Sequence, residues 1–324
     1  MSPLLELSVV IPTRNRPAAL RQLLQGLRAQ TLDRTQFEIL VVDDGSQPPV
    51  VVEAEPGERL RVLRLEHGER SIARNHGASE GAGAVLLFLD DDLRLSGNVL
   101  EAHLSAQREW PGSLAVGAIR LPDELAHTPF GSFRQALEAA GIPGSRGPVR
   151  QRNFCTAGHM SMRRDDFLAL GGFDSTIVSA EDQDLALRHS AAGGTIVYLP
   201  EALAVHDDEN ADLRSYCRRA EWGAEHMSAF CQRHPELQDN VDRLAVNGPP
   251  RWADPGSLLF KKIAKDVLGH KPAVAGLFAA VAAIERRRPA SRLLPRLYKL
   301  LLGIHLQKGF RRGWRTTPPS QVMP

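Results

Sequence analysis

Three adjacent carboxylates follow a run of six apolar residues in the segment AVLLFLDDDLRL, residues 84–95. Asp90, Asp91 and Asp92 repel one another at the end of what reads as a buried strand. Two carboxylates spaced as Asp-x-Asp on one turn can hold a hard divalent cation and leave positions open for phosphate oxygens. The alternative is that these acids cap the next helix and face water. The spacing alone weighs the two interpretations about evenly.

A second predicted strand also ends in acids. The segment VVDDGS places Asp43 and Asp44 directly before Gly45. One of these carboxylates could accept hydrogen bonds from a base or a ribose, and the glycine would allow close approach. An ordinary Asp-Gly turn is the alternative, and for this segment alone the turn is favoured. Two acidic ends in neighbouring strand–helix units indicate a binding site more strongly than either one.

The elements that position these acids alternate between strands and helices. Continuous apolar strands separated by helices predict an α/β fold with a mostly parallel, twisted, Rossmann-like sheet flanked by helices. In such sheets ligands bind beyond the carboxyl ends of the strands, where both acidic segments fall. The predicted strands are residues 7–12, 37–44, 60–65, 84–89, 113–119, 195–200 and 202–206. The predicted helices are residues 17–27, 71–83, 97–109, 181–194 and 210–233.

Composition divides the chain near its Pro-rich segment NGPPRWADPG. Residues 1–256 carry 26 arginines, no lysine and 36 acidic residues, whereas residues 257–324 carry 14 cations and two acids. The net charges are therefore −10 and +12. We predict a catalytic domain over 1–246, a linker over 247–256 and a basic, amphipathic helical extension over 257–324. Residues 120–152 are predicted to be loop with one short helix.

Motifs in a fixed order make the chain resemble the family 2 inverting glycosyltransferases, which have the nucleotide-sugar-binding GT-A fold. The motifs are VVIPTRNRP, VVDDGS, ARNHG, FLDDD, GGFD and EDQDLALR, and they fall within residues 6–210. Each is weak by itself, but their order and spacing make the resemblance specific. Many members read Asp-x-Asp-Asp at the metal motif, whereas this chain has Leu93 after Asp92. The DxD motif is retained, and the role of Asp91 is left open.

The resemblance implies roles for the matched residues. The nucleotide sugar would be bound by Pro12, Thr13, Arg14, Asp43, Asp44, Arg74, Asp90 and Asp91. Within this set, an acid of the VVDDGS segment would contact the base, and Arg74 would lie near the base or the diphosphate. Asp90 would lie near the ribose or the sugar. Asp92 would hold the metal ion, Mn²⁺ or Mg²⁺.

The acidic pair in the segment SAEDQDLALR is the candidate for acid–base chemistry. Glu181 and Asp182 fall in the first turn of a predicted helix, where the macrodipole stabilises anions and predicts a carboxylate deprotonated at neutral pH. A deprotonated carboxylate can draw the proton from an acceptor hydroxyl. Without the resemblance, simple charge complementarity with the helix is preferred about two to one. The resemblance implies that Asp182 is the catalytic base, with Glu181 on the acceptor side.

Two histidines and a glycine complete the candidate site. The resemblance implies that His206, at the end of ALAVH, completes the metal site, and neutral imidazole is a reasonable ligand beside carboxylate. A histidine at a polar strand end is the alternative. Gly158 and His159, in TAGHMSMRR, are candidates for the acceptor side of the pocket. Packing is the better explanation for His159, and backbone geometry for Gly158.

The basic C-terminal extension allows several interpretations. Its leucines and aromatic residues are interleaved with cations, as in helices that lie on anionic bilayers, where each cation adds about 1 kcal/mol. Nucleic acid, an acidic patch of the same chain and a plain helical bundle are the alternatives. No nucleic-acid fold motif accompanies the cations. We therefore predict an anionic membrane surface, and not nucleic acid, as the partner of residues 257–324.

Cysteine usage and the N-terminal segment predict the location of the protein. Cys155, Cys217 and Cys231 lack the spacing of a disulfide framework or a metal-type CxxC pair, as expected in a reducing cytosol. The first residues have no basic start before their apolar run, and the weakly charged apolar segment 272–284 is too short to span a bilayer. We predict a cytoplasmic protein, peripheral on the inner face of the membrane.

These observations together predict a metal-dependent inverting glycosyltransferase. It would move a sugar from a nucleotide diphosphate sugar, with UDP favoured by the resemblance alone, to an acceptor hydroxyl on a carbohydrate or glycolipid. A lipid-linked or cell-surface glycan, as in polysaccharide biosynthesis, is the expected acceptor. One alternative is a sugar-phosphate nucleotidyltransferase, although IPTRNRP lacks the glycines expected of its phosphate loop. The other is a non-catalytic nucleotide-sugar-binding or scaffold protein.

Overall fold

The computed structural model describes residues 5–150, 153–207, 212–234 and 245–316. They fall into two compact units: unit 1 lies within 1–122 and 138–207, and unit 2 within 123–137 and 208–324. The domain limits predicted from composition remain a prediction. The compact units differ from them in two respects, because residues 123–137 and the helix Leu213–Arg233 both cluster with the C-terminal helices.

Unit 1 is built on a nine-stranded mixed sheet. Its strands are β1 (Leu7–Thr13), β2 (Phe37–Asp44), β3 (Leu60–Leu65), β4 (Val85–Leu89), β5 (Leu93–Leu95), β6 (Leu114–Arg120), β7 (Gly147–Val149), β8 (His159–Arg163) and β9 (Ile196–His206). The order is β3-β2-β1-β4-β8-β6-β9-β5, and β7 pairs with β9. Strands β3, β2, β1 and β4 are parallel. Their carboxyl ends therefore meet at one edge of the sheet, which confirms the predicted α/β class.

Helices cover both faces of this sheet. They are α1 (Pro17–Arg28), α2 (Arg70–Glu80), α3 (Val99–Glu109), α6 (Arg164–Ala169) and α7 (Glu181–Ala191). Two further helices, α4 (Asp123–Ala126) and α5 (Pro129–Ala139), follow β6 in the chain, and residues 123–137 belong to unit 2. Alternate residues of each strand point to opposite faces. Val9 and Ile11 of β1 pack in one core with the leucines of α1, whereas Val10 packs in a second core on the other face. Burial on both faces explains why the strands read as continuous apolar runs.

Strand β8 is the element that the sequence did not reveal. It lies antiparallel between β4 and β6, in the middle of the sheet. Its buried residues include polar His159 and Ser161, which hide the apolar pattern of a central strand. The Ser161 hydroxyl lies 2.8 Å from His103 Nδ1 of α3, so this polar group is satisfied inside the core.

Two other predicted segments differ from the structure. Residues 120–152 contain α4, α5 and β7 rather than one short helix in a loop. Phe130 of α5 belongs to unit 2 and is buried against other residues of that unit such as Tyr298. These contacts between residues far apart in the chain stabilise a helix whose own pattern is weak. The two strands predicted at 195–200 and 202–206 form the single strand β9, with a register shift opposite Gly117/Ala118.

Unit 2 is helical. Its longer described helices are α8 (Leu213–Arg233), α9 (Gly256–Leu268), α10 (Lys271–Arg287) and α11 (Leu294–Thr316). Helices α8 and α11 cross closely at Gly309 and Gly313, where a Cβ atom would come within 2.0 Å and 1.9 Å of backbone oxygens of α8. Small residues are therefore required at this crossing. The basic segment thus packs as a bundle around a core that includes Phe278, Tyr298 and Leu301.

Membrane-spanning potential is limited in the part of the chain that the structure describes. No single helix there is long and apolar enough to cross a bilayer. Helices α9 and α10 reach the required length and composition only as a pair, and a bend of 92° separates them.

Candidate active site

The first loop of unit 1 contacts the acidic loop after β4. Thr13 ends β1, and its hydroxyl donates a hydrogen bond of 2.6 Å to Asp91 Oδ2. Pro12 precedes it inside the buried strand. Burial raises the pKa of Asp91 to about 6, although Thr13 and Arg16 act to lower it. Asp91 therefore faces β1, and its bond with Thr13 connects the loop after β1 to the loop after β4.

The two acids after β2 have different surroundings. Asp43 is fully buried and accepts backbone hydrogen bonds from Ser46 (2.8 Å) and Val50 (3.0 Å), and Arg64 pairs with it. Burial acts to raise the pKa of Asp43, but these bonds outweigh burial and lower it. Because both oxygens are occupied, Asp43 shapes the loop that presents Asp44.

Asp44 belongs to a short chain of polar contacts at the rim of the sheet. It accepts a hydrogen bond of 2.6 Å from the Gly68 backbone, and its Oδ2 lies 2.9 Å from His67 Nδ1. Arg14 donates to His67 Nε2 at 2.6 Å, which makes Nδ1 the protonated nitrogen that donates to Asp44. The predicted residues Arg14 and Asp44 thus come together through His67. The sequence offered no motif that would have identified this histidine.

Arg74 links Asp90 to the ED pair. It lies on α2, is 1% exposed, and donates to Asp90 Oδ1 at 2.7 Å and to Glu181 Oε1 at 2.9 Å. Burial acts to lower the pKa of Arg74, but the two carboxylates outweigh burial and raise it. Arg74 also keeps the pKa of Asp90 below its ordinary value, against the effect of burial. Both side chains are therefore charged at neutral pH.

The GGFD motif is fastened to the same helix. The Asn75 side chain donates to the Phe173 carbonyl at 2.8 Å and accepts from the Phe173 backbone nitrogen at 2.9 Å. The Phe173 ring in turn lies 5.7 Å from the Arg74 guanidinium carbon. The sequence analysis did not single out Asn75, although it stands inside the ARNHG motif. Its two bonds hold the segment that leads to Glu181.

Asp90, Asp92 and His206 form a cluster that could hold a metal ion. Each offers a ligand atom, and these atoms all lie within 4.8 Å of one another. Asp92 Oδ1 is buried, accepts no hydrogen bond from the described residues and lies 3.0 Å from His206 Nε2. Two carboxylates and an imidazole suit a divalent ion such as Mn²⁺. The residues therefore fit the predicted metal, and Asp90, predicted to lie near the sugar, joins them.

Arg16 is a basic neighbour of this cluster that the sequence analysis did not single out. Its guanidinium donates to Asp92 Oδ2 at 2.7 Å and to Asp91 Oδ1 at 3.4 Å. It follows Asn15, a non-glycine residue with a left-handed φ of 55°. The loop after β1 thus contributes a positive charge to the acidic cluster, which reduces the mutual repulsion of the acids.

The ED pair begins helix α7, and its electrostatics differ from the prediction. Burial and the neighbouring charge of Glu181 raise the pKa of Asp182 to about 7. The predicted effect of the helix dipole, a firmly deprotonated carboxylate at neutral pH, is therefore wrong. The Gln183 backbone donates to Asp182 Oδ1 at 2.7 Å, and Ala157 makes a longer bond of 3.4 Å to Oδ2. A carboxylate with a pKa near neutrality is well matched to general-base work.

Backbone strain is concentrated in the loops of this site. Among the described residues, the non-glycine residues with positive φ are Asn15, Glu69 and Ala180. Asn15 precedes Arg16, Glu69 precedes the helix α2 that carries Arg74, and Ala180 precedes the ED pair. Left-handed conformations of such residues persist where the surrounding structure enforces them, which is typical of functional sites.

Gly158 and His159, both predicted to lie on the acceptor side, have different positions. The Gly158 carbonyl accepts a hydrogen bond of 3.0 Å from the Asp90 backbone, next to the cluster. The His159 ring is fully buried in β8, with its centroid 5.1 Å from that of His103. Burial lowers the pKa of His159 to about 4. A neutral, fully buried ring does not fit the predicted acceptor-side contact, and packing accounts for this residue.

Substitution of Gly158 should disturb Asp90. A Cβ atom at position 158 would lie 2.5 Å from Asp90 Oδ2, too close for any real contact. We expect Gly158→Ala to push the Asp90 carboxylate away from Arg74 and to weaken nucleotide-sugar binding about tenfold, equivalent to the loss of one charged hydrogen bond. Titration calorimetry measures the change. Gly144→Ala, where nothing lies within 4 Å, is the control, and equal affinities of the two variants would contradict the expectation.

The fold defines the class of protein first. PcManGT, a mannosyltransferase from Pyrobaculum calidifontis in complex with GDP-Man and Mn²⁺, aligns with a TM-score of 0.58 at 18% identity, covering 94% of this chain and 86% of that one. S. aureus TarS in complex with UDP aligns with a TM-score of 0.50 at 16% identity, covering 96% and 91%. At these identities the likeness establishes the fold, which is the GT-A fold of glycosyltransferases.

Sequence comparison then identifies the family. The model for Glycosyl transferase family 2 matches residues 8–168. The pre-mycofactocin glycosyltransferase of Mycobacterium tuberculosis is 27% identical over 250 residues, covering 75% of this chain. The chain belongs to glycosyltransferase family 2. It spans 50% of the mycobacterial relative's length, and Asp182 and His206 lie beyond the residues that the family model matches.

Proposed function

We propose that this glycosyltransferase is metal-dependent and inverting, and that it moves a sugar from a nucleotide diphosphate sugar to an acceptor hydroxyl. One observation carries the proposal: the buried guanidinium of Arg74 joins the cluster of Asp90, Asp92 and His206 to the ED pair. A metal–diphosphate site and a carboxylate base thus belong to one network, as a direct displacement at a sugar requires.

The residues of the acidic cluster would bind the donor. Asp92 and His206 would hold Mn²⁺ or Mg²⁺, with Asp90 in reach of the same ion. The ion, when bound, neutralises charge on the diphosphate leaving group. Arg16 lies close enough to the cluster to contribute positive charge beside the diphosphate. Arg74 fixes Asp90 by an ion pair of 2.7 Å, so the carboxylate is oriented before the donor arrives.

Asp182 would act as the general base. Its carboxylate takes the proton of the acceptor hydroxyl as the hydroxyl oxygen forms a bond to the anomeric carbon. The bond between that carbon and the diphosphate oxygen breaks on the opposite face, and the nucleoside diphosphate leaves with the bonding electrons. The configuration is therefore inverted. Glu181, held by Arg74 at 2.9 Å, would keep the pKa of Asp182 near neutrality and line the acceptor side.

Nucleotide binding without an acceptor tests the proposal most directly. Isothermal titration calorimetry of UDP, GDP, dTDP and CDP, each with and without Mn²⁺ and Mg²⁺, should show one nucleotide that binds only with metal. UDP is the predicted nucleotide, and the GDP-Man complex of PcManGT makes GDP the main competitor. Binding that is indifferent to metal, or no binding to the folded protein, would overturn metal dependence.

The two alternative functions give different results in the same measurement. A sugar-phosphate nucleotidyltransferase would bind a nucleoside triphosphate and release pyrophosphate, which a pyrophosphate assay detects. A non-catalytic binding protein would bind the nucleotide sugar without hydrolysing or transferring it. The buried Arg74 network favours catalysis, because it places a pair of carboxylates next to the proposed metal–diphosphate site.

The acceptor is proposed to be a carbohydrate or a glycolipid, such as a lipid-linked or cell-surface glycan. The positive charge of unit 2 supports this proposal, because residues 257–324 carry 14 cations and two acids and could contact an anionic membrane that holds such an acceptor. We propose that unit 2 brings the enzyme to an anionic membrane on its inner, cytoplasmic face, where such acceptors are assembled.

A further inference from the structure

Helix α9 carries an apolar stripe on its outer surface. Phe260, Ile263 and Val267 are 73%, 47% and 62% exposed. Their spacing of three and four residues places them on one side of the helix, within about 60° of arc. A helix in a helical bundle ordinarily turns such residues toward the core, so the orientation of α9 requires an explanation.

Polar contacts on the opposite side of α9 fix this orientation. Lys262 is 1% exposed, and its ammonium group donates to Asp254 Oδ2 at 2.8 Å and to the Pro249 carbonyl at 3.2 Å. Asp266 accepts from Gln307 at 3.1 Å and is paired with Arg311, both of α11. Rotation of α9 to bury the stripe would break these bonds and leave the polar groups of Lys262 and Asp266 without these partners. The apolar side is therefore held outward by the fold.

An exposed aromatic residue precedes the stripe, and the segment that contains the stripe is rich in cations. Trp252, which precedes α9 by four residues, is 97% exposed. Asp254, two residues later, is bound to Lys262 and so fastens this segment to the helix. The exposed cations of the three C-terminal helices and their connections are Lys261, Lys271, Arg286, Arg287, Arg288, Arg292, Arg296, Lys299, Arg312 and Arg315. Net charge over residues 257–324 is +12.

We propose that the stripe of α9, formed by Phe260, Ile263 and Val267 together with Trp252, inserts into the interfacial layer of an anionic phospholipid bilayer. The helix lies along the surface, its apolar side among the upper acyl chains, while neighbouring cations contact the anionic headgroups. The proposal names the residues that would carry unit 2 to a membrane. The part of it that concerns access to a lipid-linked acceptor rests on the proposed function, whereas lipid binding itself does not.

Charge complementarity favours a bilayer over a protein partner. Protein interfaces are depleted in lysine at their centres, whereas this stripe is bordered by Lys261 and followed by Lys271. Lysine stems can extend along apolar surface and leave their ammonium groups at the headgroups. Tryptophan beside such a stripe is typical of the membrane–water boundary, where its ring and N–H meet different environments.

Flotation of the full-length protein with vesicles tests the proposal. Vesicles of phosphatidylcholine with phosphatidylglycerol should carry the wild type, and vesicles of phosphatidylcholine alone should not. The triple variant Phe260→Gln, Ile263→Gln, Val267→Gln should bind the anionic vesicles at least about tenfold more weakly, because its apolar contact is lost. Val51→Gln removes a residue of unit 1 that is 86% exposed and serves as the matched control.

Tryptophan fluorescence gives a second measurement that does not depend on large substitutions. Binding to anionic vesicles should shift the emission of the wild type to shorter wavelength, and Trp252→Phe should lose most of that shift. Absence of vesicle binding by the wild type, or equal binding by the triple variant and the control, would overturn the proposal. A triple variant that instead changes the protein's association with other proteins, with vesicle binding unaltered, would do the same.

The two proposals fail separately. Nucleotide binding with Mn²⁺, measured by calorimetry in the absence of vesicles, should be the same for the triple variant and the wild type. Loss of lipid binding with retained nucleotide binding identifies the stripe as a membrane contact. If the wild type binds lipid but no nucleotide, the proposed membrane contact is retained and the proposed donor site is overturned.

Discussion

Asp182→Asn should reduce kcat/KM for sugar transfer about 10³-fold, because an amide cannot accept the acceptor's proton and general bases contribute 10² to 10⁴. Donor binding should be unchanged, since the hydrogen bonds of Asp182 with the described residues come from the backbone of Gln183 and Ala157. Transfer is measured by release of nucleoside diphosphate in the presence of acceptor, and donor binding by calorimetry.

The pH profile provides the sharper form of this prediction. The catalytic form of Asp182 is the deprotonated one, and its pKa is raised to about 7, so kcat/KM should fall tenfold per pH unit below about pH 7 and level off above it. Glu181→Gln is the matched variant, because the charge of Glu181 contributes to the raised pKa. Its acidic limb should move to lower pH. An unchanged limb in Glu181→Gln, or normal turnover in Asp182→Asn, would contradict the assignment of the base.

Asp92→Asn should abolish the proposed metal dependence of the enzyme. An amide oxygen is a weaker ligand than a carboxylate, and metal stabilisation of the leaving diphosphate supplies several kcal/mol of the rate. We expect kcat/KM to fall about 10³-fold at a Mn²⁺ concentration that saturates the wild type. The measurement is kcat/KM as a function of Mn²⁺ concentration, with thermal unfolding of each variant as the check on folding.

Asp91→Asn is the matched control for this substitution. Asp91 is the adjacent residue of the same type, but it faces Thr13 at 2.6 Å rather than the group formed by Asp90, Asp92 and His206. Its replacement should cost the enzyme about tenfold or less, corresponding to one hydrogen bond. Equal losses in the two variants would mean that activity depends on the acids in general, and would contradict a specific role of Asp92 as a metal ligand.

Arg74 connects these two predictions. It bonds to Asp90 on the donor side and to Glu181 beside the base, and it is almost completely buried. A buried arginine between two carboxylates is strongly held, since the removal of one partner leaves an uncompensated charge. One side chain of the ARNHG motif therefore joins the proposed donor and acceptor halves of the site.

The location of the site could be predicted from the sequence. Apolar runs such as residues 37–42 and 84–89 reveal strands that are buried on both faces, and each run ends in carboxylates. Parallel strands bring these ends to one edge, so the juxtaposition of Thr13, Asp44 and Asp90 follows from local pattern and general topology. The order of the motifs also indicated the family, because each motif is a short segment that can be recognised without knowledge of the tertiary structure.

Only the tertiary structure decided how these residues are charged and which of them meet. The pKa of Asp182 is set by burial and by Glu181, and burial depends on packing that the helix pattern does not contain. Arg16 lies 76 residues from Asp92, and Arg74 lies 107 residues from Glu181. The outward stripe of α9 likewise depends on ion pairs to Asp254 and α11. Desolvation and ion pairing are properties of neighbours in space, whereas periodicity and composition are properties of neighbours along the chain.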